Sequence, residues 1–428
     1  MDNSPGVGSR RLVRLAPGFS GRHAATFLYA AFFSVCLLAF VSFIQPYALN
    51  VMVQVPESLQ GRATLMLGAL NEIVTLLLVG PFGALSDKVG RRTVYVLGLL
   101  WIGAGFFVIP LASTFAGLVL ATMFWSVGAA AVGAMLATVL ADLPEERSRG
   151  ALVGITGIIQ VFGILLGVFL LSRLPEFFAR TGADAIAAGR FTYWTAGALS
   201  AITALVCLAG LHRGPPEHAQ AHFGLRHLLR EGMAAALQNR RILLGYCVNF
   251  IARADIAVIG TYFSLRLMQA GLDSGLSPPQ AVSYQGAIYG LAQGAALLSA
   301  FVFLFVADRF DRITTVIVAM ALAAVGYTWV GIADPLSSMI YPAAIMMGVG
   351  ELSAILSAQV LLGQEAPRHI RGSVFGLAGI SGALGILFAN FVCGQLYDLW
   401  SKAAPFIVVG VCNLLILAFA LSVRRRAT

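Results

Sequence analysis

The sequence predicts an all-α membrane protein in which twelve transmembrane helices form two pseudo-symmetric six-helix bundles. Hydrophobic residues make up 59% of the 428 residues and charged residues only 11%, a composition that suits lipid rather than water. Two separate loop motifs recur with the same period of roughly 220 residues, which indicates an internal duplication. Together these observations predict the fold class.

Twelve apolar segments reach the length of about 20 residues that a helix needs to span a bilayer core. The first is longer than the apolar core of a cleavable signal sequence, so we take it as the first spanning helix. The chain then divides into an N-terminal half at 1–211, a linker at 212–241 and a C-terminal half at 242–428. We place the twelve segments at 24–49, 63–84, 93–111, 115–140, 150–172, 192–211, 243–268, 281–306, 313–332, 337–362, 372–396 and 404–423.

The basic residues indicate how the chain crosses the membrane. The net charge is +9, and most of the 28 Lys and Arg residues lie in alternate loops, in the N-terminal tail and at Arg424–Arg426. This positive-inside pattern places both termini in the cytoplasm. The linker sets apolar residues such as Leu225 and Leu229 against charged ones such as Arg226 and Arg230, so we expect it to form an amphipathic helix on the inner face of the membrane. The charge therefore reports topology, and we expect lipid rather than nucleic acid as a partner.

The repeated motifs lie in loops that this topology makes cytoplasmic. The string Gly83-Ala-Leu-Ser-Asp87-Lys88-Val-Gly90-Arg91-Arg92 recurs in weaker form, with Asp308 matching Asp87 and Arg312 matching Arg91. A second motif, Arg149-Gly150, recurs as Arg371-Gly372. In the second copy of the first motif, Asp311 stands where Gly90 stands in the first. Duplicated halves of this kind are common in secondary transporters.

The first motif resembles the loop signature of the major facilitator superfamily between its second and third helices, and the segment Asp142-Leu-Pro-Glu-Glu-Arg-Ser-Arg149-Gly150 resembles its companion motif. The resemblance covers the whole chain and implies that the loop Asp caps a helix N-terminus and pairs with an Arg across a cytoplasmic gate. The alternative, that these are only topology charges at loop ends, stays open. The gate residues that the resemblance implies are Gly83, Asp87, Gly90, Arg91, Arg92, Arg149, Asp308, Arg312 and Arg371.

Sequence motifs typical of particular subfamilies are mostly absent. The fifth segment has no Gly-Pro step of the kind found in proton-coupled drug exporters, and no Pro-Glu-Ser-Pro-Arg string follows the sixth segment as in sugar porters. Length, architecture and the region from Ser42 to Gly61 loosely resemble the MamH-type transporters of bacterial magnetosome membranes. That resemblance implies a role in iron supply.

Four ionisable residues lie well inside predicted spans, where they are costly and therefore functional candidates. They are Glu72, Arg253, Asp255 and Glu351. At about 1.5 Å per residue, Arg253 and Glu351 lie near mid-bilayer. The resemblance to the superfamily implies that the seventh and tenth helices line a central cavity, so we expect the two residues to face each other across it. The same face of the seventh segment carries Tyr246 and Asn249. The predicted substrate-binding residues are therefore Tyr246, Asn249, Arg253 and Glu351, and a purely structural ion pair is the alternative.

Three carboxylates are candidates for proton coupling: Glu72, Asp255 and Glu351. A carboxylate without a full partner at this depth could take up a proton near neutral pH. Asp255 lies about 200° around the helix from Arg253, so it could instead pair with a neighbouring helix or with Arg266. Glu72 could equally be an interhelix contact. The large aromatic residues Trp125 and Trp329 are taken as packing or interface residues.

The sequence predicts no cofactor and no enzymatic activity, and it leaves open whether the linker histidines bind a metal. His218 and His222 in the linker have a spacing that can chelate a metal, yet no full ligand set accompanies them. The five cysteines lie in apolar runs and are expected to be buried thiols. There is no nucleotide-binding loop and no nucleophile motif.

The predicted function is secondary active transport of a small charged solute by alternating access. An iron species of a magnetosome membrane is the most specific substrate suggested. The alternatives are a proton-coupled exporter of organic anions or drug-like solutes, and a non-transporting membrane scaffold. We expect a monomer or weak oligomer in the bacterial inner membrane or a compartment derived from it.

Overall fold

The computed structural model describes residues 14–145, 148–214, 225–306, 311–367 and 370–425, and within them it is helical without extended strands. The helices are α1 (Gly21–Tyr47), α2 (Gln60–Val89), α3 (Arg91–Val108), α4 (Phe115–Asp142), α5 (Arg149–Leu171), α6 (Leu174–Arg180), α7 (Ala185–Gly210), α8 (Leu225–Gln238), α9 (Arg240–Ala257), α10 (Ser264–Asp273), α11 (Pro278–Val306), α12 (Arg312–Ile332), α13 (Ile340–Glu365), α14 (Arg371–Phe388), α15 (Gly394–Leu399) and α16 (Ala404–Arg425).

These helices provide twelve stretches long and apolar enough to cross a membrane, as the sequence predicts. Spans seven and eleven are composite. A π-helical segment at Val258–Phe263 joins α9 to α10, and another at Ala389–Cys393 joins α14 to α15. A third π-helical segment, Ala48–Met52, ends the first span. Such segments break the regular backbone pattern and often occur at functional sites.

Local chemistry explains where several helices begin. Thr114 accepts a hydrogen bond from the backbone N–H of Gly117, and Asp184 accepts one from that of Ala187, so both act as N-caps. Asn239 caps α9 in the same way. Gly90 separates α2 from α3 with φ 94°, a backbone conformation that favours glycine. The connection between these two helices is therefore a single residue.

Small residues let helices approach closely within each half. In the C-terminal half, Gly326 of α12 and Gly350 of α13 each lie against the backbone of the other helix, and Gly348 lies against the carbonyl of Ala292 in α11. A side chain at any of these positions would collide with backbone atoms. This glycine-dependent packing is typical of membrane helices, where lipid supplies little hydrophobic drive for association.

The two halves meet mainly at one end. We name the end that carries the helix boundaries near 90, 149, 312 and 371 the termini side, and the end near 57, 112, 275 and 402 the opposite side. The contacts between halves include those of α2 with α14 and α15, those of α5 and α6 with α11, and those of α1 with α10. The residues that make them, described below, lie from the middle of the spans to the opposite side.

Toward the termini side the halves are separated. In α2, buried residues are frequent up to Ala69, whereas none is buried from Asn71 to Leu85. Positions where an added Cβ would meet no atom within 4 Å cluster here, namely Gly80, Gly83, Gly150, Gly154, Gly157, Gly372 and Gly379. The interior therefore opens toward the termini side and is closed at the opposite side.

The described part of the linker forms α8, which packs against the C-terminal half. Gly232 lies against Leu377 of α14, and Ser373 Oγ donates a hydrogen bond to Glu231 at 2.7 Å. The N-terminal tail packs within its own half instead, where Ala16 N donates to Leu143 O at 3.0 Å. The linker helix is thus part of the C-terminal half's packing.

Candidate functional site

The closed end is held by a carboxylate at a helix N-terminus. Asp398 of α15 accepts hydrogen bonds from the backbone N–H groups of Gly61 and Arg62, both at 2.8 Å. These amides belong to the first turn of α2, where N–H groups lack partners within the helix. A side chain at Gly61 would sit 2.5 Å from Asp398 Oδ1, so glycine is what permits the contact.

Beside this contact a hydrogen-bonded chain of side chains crosses between the halves. Tyr397 donates to Gln269 Oε1 at 2.6 Å, and Gln269 donates to Gln60 Oε1 at 2.8 Å. Gln60 in turn donates to Asn50 Oδ1 at 2.8 Å. Lys402 contacts Glu57 across the same boundary, but both side chains are substantially exposed, so that pair contributes little. The hydrogen bonds of the buried amide side chains therefore hold the two halves together at this end.

The second line of closure joins α5 and α1 to α11. Gln285 donates to the backbone oxygen of Phe43 at 2.8 Å. Gly286 lies directly against Ser172, and Gly290 lies against Phe169. Closure at this end therefore depends on close helix contacts as well as on hydrogen bonds.

Arg253 lies in the interior of the membrane span and is exposed there. Because it lies near α14 and acts on Glu72 of the other half, we infer that it borders the cavity between the halves. The stem of its side chain packs against Gly382 of α14. Among the described residues, Arg253 makes no ion pair of 4 Å or less. It does act electrostatically on Glu72 of α2, a half-buried residue of the other half. An unneutralised cation thus faces a carboxylate across the boundary between halves.

The other two residues of the predicted stripe are engaged in packing. Tyr246 is buried, and its hydroxyl donates to the backbone oxygen of Gly232 in α8 at 3.3 Å. Asn249 donates to the backbone oxygen of Ala378 in α14 at 2.7 Å. Of the three, only Arg253 presents its polar group to the cavity.

Glu351 and Asp255 lie inside the C-terminal half rather than in the open cavity. Glu351 is 6% exposed and accepts a hydrogen bond from Gln293 at 3.4 Å. Asp255 is fully buried and accepts one from Asn413 at 3.1 Å. Among the described residues, no ion pair of 4 Å or less joins Glu351 to Arg253.

Arg266, which the sequence suggested as a possible partner of Asp255, has a structural role instead. Its guanidinium donates to the backbone oxygens of Val330 at 2.5 Å and Ala333 at 2.9 Å, at the end of α12. It also lies over the ring of Phe406. Carbonyls at a helix C-terminus attract cations, so Arg266 caps α12. It does not pair with Asp255, whose carboxylate is held by Asn413.

The first gate motif forms a compact charged cluster in the N-terminal half. Arg91 contacts Asp87 at 2.5 Å and Asp142 at 2.9 Å, so one guanidinium joins α2, α3 and α4. It also contacts Ser86 and donates to the backbone oxygen of Gly83 at 3.5 Å. The turn at Gly90 brings Arg91, at the start of α3, next to Asp87, near the end of α2.

The remaining gate residues are dispersed. Arg92 donates to the backbone oxygen of Leu208 at 3.0 Å, within the same half. Arg149 begins α5. Arg371 donates to the backbone oxygen of Gly363 at 2.8 Å, and Arg312 is exposed at the first turn of α12. Asp308 lies outside the described residues.

Among the described residues, metal ligands and thiols add no further site. Within the described ranges, no group of three His, Cys, Asp or Glu side chains is arranged to hold a metal ion. His218 and His222 lie outside those ranges. All five cysteines are free thiols, three of them buried.

Comparison with known proteins identifies the architecture. A model of the Major Facilitator Superfamily matches residues 24–277 and 245–428. The chain is 26% identical to the magnetosome protein MamH of Paramagnetospirillum magneticum, over 95% of this chain and 93% of that protein. It is 27% identical to the magnetosome protein MamZ of Magnetospirillum gryphiswaldense, over 88% of this chain but only 58% of that longer protein.

Solved structures agree on the fold. The nucleoside transporter NupG, as a D323A mutant, superposes with a TM-score of 0.74 at 14% identity, covering 94% of this chain and 99% of that one. A bacterial homologue of the human lysosomal transporter Spinster gives a TM-score of 0.71 at 13% identity, covering 95% and 98%. The duplicated halves, the twelve spans and these matches agree, and the chain belongs to the Major Facilitator Superfamily.

Proposed function

We propose that this protein is a secondary active transporter that moves a small organic anion by alternating access. The observation that carries the proposal is Arg253, a cation exposed in mid-span to a cavity that opens at one end only. Ionisable groups in the membrane interior are costly and are retained where they bind solutes or protons. A guanidinium is also well suited to bind a carboxylate through paired hydrogen bonds.

Glu72 is the proposed proton-coupling partner of Arg253. Because the two groups act on each other across the boundary between halves, ionised Glu72 competes with a solute anion for the positive charge. A proton on Glu72 removes that competition and favours anion binding. Proton uptake and anion uptake are thereby linked.

Glu351 and Asp255 form a second proposed proton-exchange site. Neither carboxylate has a cationic group within 4 Å among the described residues, and each is held by one amide side chain instead. A change in the charge of Asp255 would act on α9, which also carries Arg253. A change in the charge of Glu351 would act on α13, in the inner wall of the C-terminal half. Tyr246 and Asn249 support the position of α9 against α8 and α14.

Alternating access requires a second gate on the termini side. We propose that the cluster of Asp87, Arg91 and Asp142, together with Arg149, contacts the C-terminal half when that side closes. Arg312, Arg371 and Asp308 are the proposed counterparts. We place the termini side in the cytoplasm on the strength of the positive-inside pattern.

The similarity to MamH and MamZ favours a magnetosome membrane or the inner membrane from which such a compartment derives. It also keeps iron as a candidate cargo. Because the accessible group in the interior is a cation, we propose that iron, if transported, would be carried as an anionic complex. A transport-inactive scaffold is the competing function.

Uptake into proteoliposomes tests the proposal. Labelled organic anions, organic cations and ferric citrate would be offered at two pH values to the wild type and to Arg253→Gln. Arg180→Gln is the matched control, because Arg180 is 78% exposed on the surface. We expect anion uptake that rises with an inward proton gradient and is lost in Arg253→Gln only. Equal uptake by both variants, or no uptake of any solute, would favour the scaffold.

A further inference from the structure

An apolar groove lies between two neighbouring helices of the C-terminal half, and we name it the α11–α12 groove. Helices α11 and α12 each pack along α13, yet in the described part of the chain they make few contacts with each other. The gap between them has a volume of ≈ 490 Å³, and Ile345 and Val349 of α13 form its floor. This volume falls in the range of about 300–1,000 Å³ that is typical of sites for small molecules.

The groove opens toward lipid rather than toward the interior between the halves. Leu298 and Val302 of α11 and Val318 of α12 line it, and each of these side chains is more than half exposed. Large apolar side chains exposed within a membrane span mark a face that lipid covers. The N-terminal half meets a different face of α11, where Gly290 and Gly294 lie against α5.

The lining of the groove calls for an apolar occupant. Among the described residues that line it, none is charged, and the polar ones are Ser299, Thr314, Thr315 and Ser353. Ser299 and Thr315 already donate their hydroxyl protons to backbone oxygens of their own helices. An unfilled gap would deprive the lining atoms of the dispersion contacts that an occupant supplies.

The length of the groove matches one leaflet of a bilayer. From Arg312, where α12 begins, to Leu322, the residue farthest along α12 in the wall, the helix rises about 15 Å. The hydrocarbon core of a bilayer is about 30 Å thick, so the acyl chains of one leaflet reach about 15 Å into it. One acyl chain of the termini-side leaflet therefore fits along α12 from its first turn to mid-bilayer.

The mouth of the groove carries two opposite charges. Asp311 and Arg312 are both exposed at the start of α12, one turn before Thr314 and Thr315 in the wall. Within the ranges that the structure describes, neither side chain has an ion-pair partner within 4 Å. A guanidinium binds phosphate through paired hydrogen bonds, and a carboxylate attracts an ammonium group. The two side chains therefore complement a zwitterionic headgroup, which carries both a phosphate and an ammonium group.

We infer that the α11–α12 groove binds a zwitterionic phospholipid of the termini-side leaflet. One acyl chain lies between α11 and α12, the phosphate binds Arg312, and the ammonium group faces Asp311. The lipid fills space that the side chains leave open, so it acts as a structural part of the C-terminal half. Its binding does not depend on which solute is transported.

Native mass spectrometry of the purified protein, titrated with phosphatidylethanolamine, tests the headgroup contact. We expect saturable binding of one lipid, and weaker binding of phosphatidylglycerol with the same acyl chains, because phosphatidylglycerol lacks the ammonium group. Arg312→Gln should weaken phosphatidylethanolamine binding at least about tenfold, since it removes a hydrogen bond between charged groups. Arg424→Gln is the matched control, because Arg424 is exposed near the end of α16 on the same side, and it should bind like the wild type.

Ala295→Phe tests where the acyl chain lies. Ala295 lines the groove, and a phenyl ring there would occupy the space of the chain, so saturable binding should be lost. Ala104→Phe places the same ring at an exposed position of α3, away from the groove, and should keep the binding. Unfolding temperatures check that each variant folds, and Val302→Phe at the rim is the second variant if Ala295→Phe is unstable.

Three results would overturn the inference. They are the absence of a saturable lipid, binding by the groove-filling variants that equals that of the wild type, and phosphatidylglycerol binding at least as tight as that of phosphatidylethanolamine. A dimer that dissociates in Ala295→Phe would assign the groove to a second copy of this chain instead of a lipid.

Discussion

Asp398 accepts the backbone N–H of Gly61 at 2.8 Å, and this hydrogen bond joins the C-terminal half to the first turn of α2 in the N-terminal half. The same carboxylate also accepts the N–H of Arg62. It therefore serves as an N-cap supplied by the other half of the molecule. Such a cap exists only while the opposite side is closed, so it stabilises the state open to the termini side over its alternative.

Asp398→Asn should weaken this closure. The amide keeps the shape but loses the negative charge at the helix N-terminus, which is worth about 0.3–1 kcal/mol at such positions. We expect the accessibility of the opposite side to rise by up to about fivefold, measured as the labelling rate of a cysteine placed at Leu65. Asp334→Asn, in a loop of the C-terminal half, is the control and should leave the rate unchanged. Equal rates in all three proteins would contradict a gating role for Asp398.

Glu72→Gln should raise anion affinity and flatten its pH dependence. The substitution removes the carboxylate that competes for Arg253, an interaction of about 1 kcal/mol in a partly hydrated site, so the gain is about fivefold. The gain should be largest at high pH, where Glu72 of the wild type is ionised. Binding titrations between pH 5.5 and 8.5 measure it. A variant with the wild-type pH profile would exclude Glu72 as the coupling group.

Gly348→Ala should destabilise the C-terminal half. The added Cβ would overlap the carbonyl oxygen of Ala292, and overpacking of this kind costs about 1–3 kcal/mol. Gly379→Ala is the matched control, since a Cβ there meets no atom within 4 Å and alanine favours helix. Thermal unfolding in detergent should show a lower midpoint for the first variant and an unchanged or higher midpoint for the second. The reverse order would contradict the close packing of α11 and α13.

Arg266→Met should lower stability without altering solute selectivity. It leaves the carbonyls of Val330 and Ala333 without their charged donor, and each such hydrogen bond contributes about 1.5–3 kcal/mol. The unfolding midpoint should fall, while the affinity for the transported organic anion stays constant. A change in that affinity with no loss of stability would indicate that Arg266 contacts solute instead.

Hydropathy, the loop charges and the duplicated motif were sufficient to predict the twelve spans and the superfamily, because lipid forces these properties on the local sequence. The composite spans were not predicted. Val258–Phe263 and Ala389–Cys393 have the same apolar composition as regular helix. Their π-helical form depends on tertiary packing.

The site was predicted only in part, because depth in the membrane does not determine which way a side chain faces. Arg253 and Glu351 are at similar depth, yet one is exposed to the cavity and the other is buried behind it. Asp398 escaped prediction because its partners are backbone amides, which no sequence motif marks.

The most direct test of alternating access measures distances across both ends of the molecule. Spin labels at Leu85 and Phe375 would report on the termini side, and labels at Leu59 and Trp400 on the opposite side, all at exposed positions in a cysteine-free background. With a transported organic anion at low pH, we expect a population with a shorter distance on the termini side and a longer distance on the opposite side. If both distances stay fixed under every solute and pH, the protein does not alternate and the transport proposal fails.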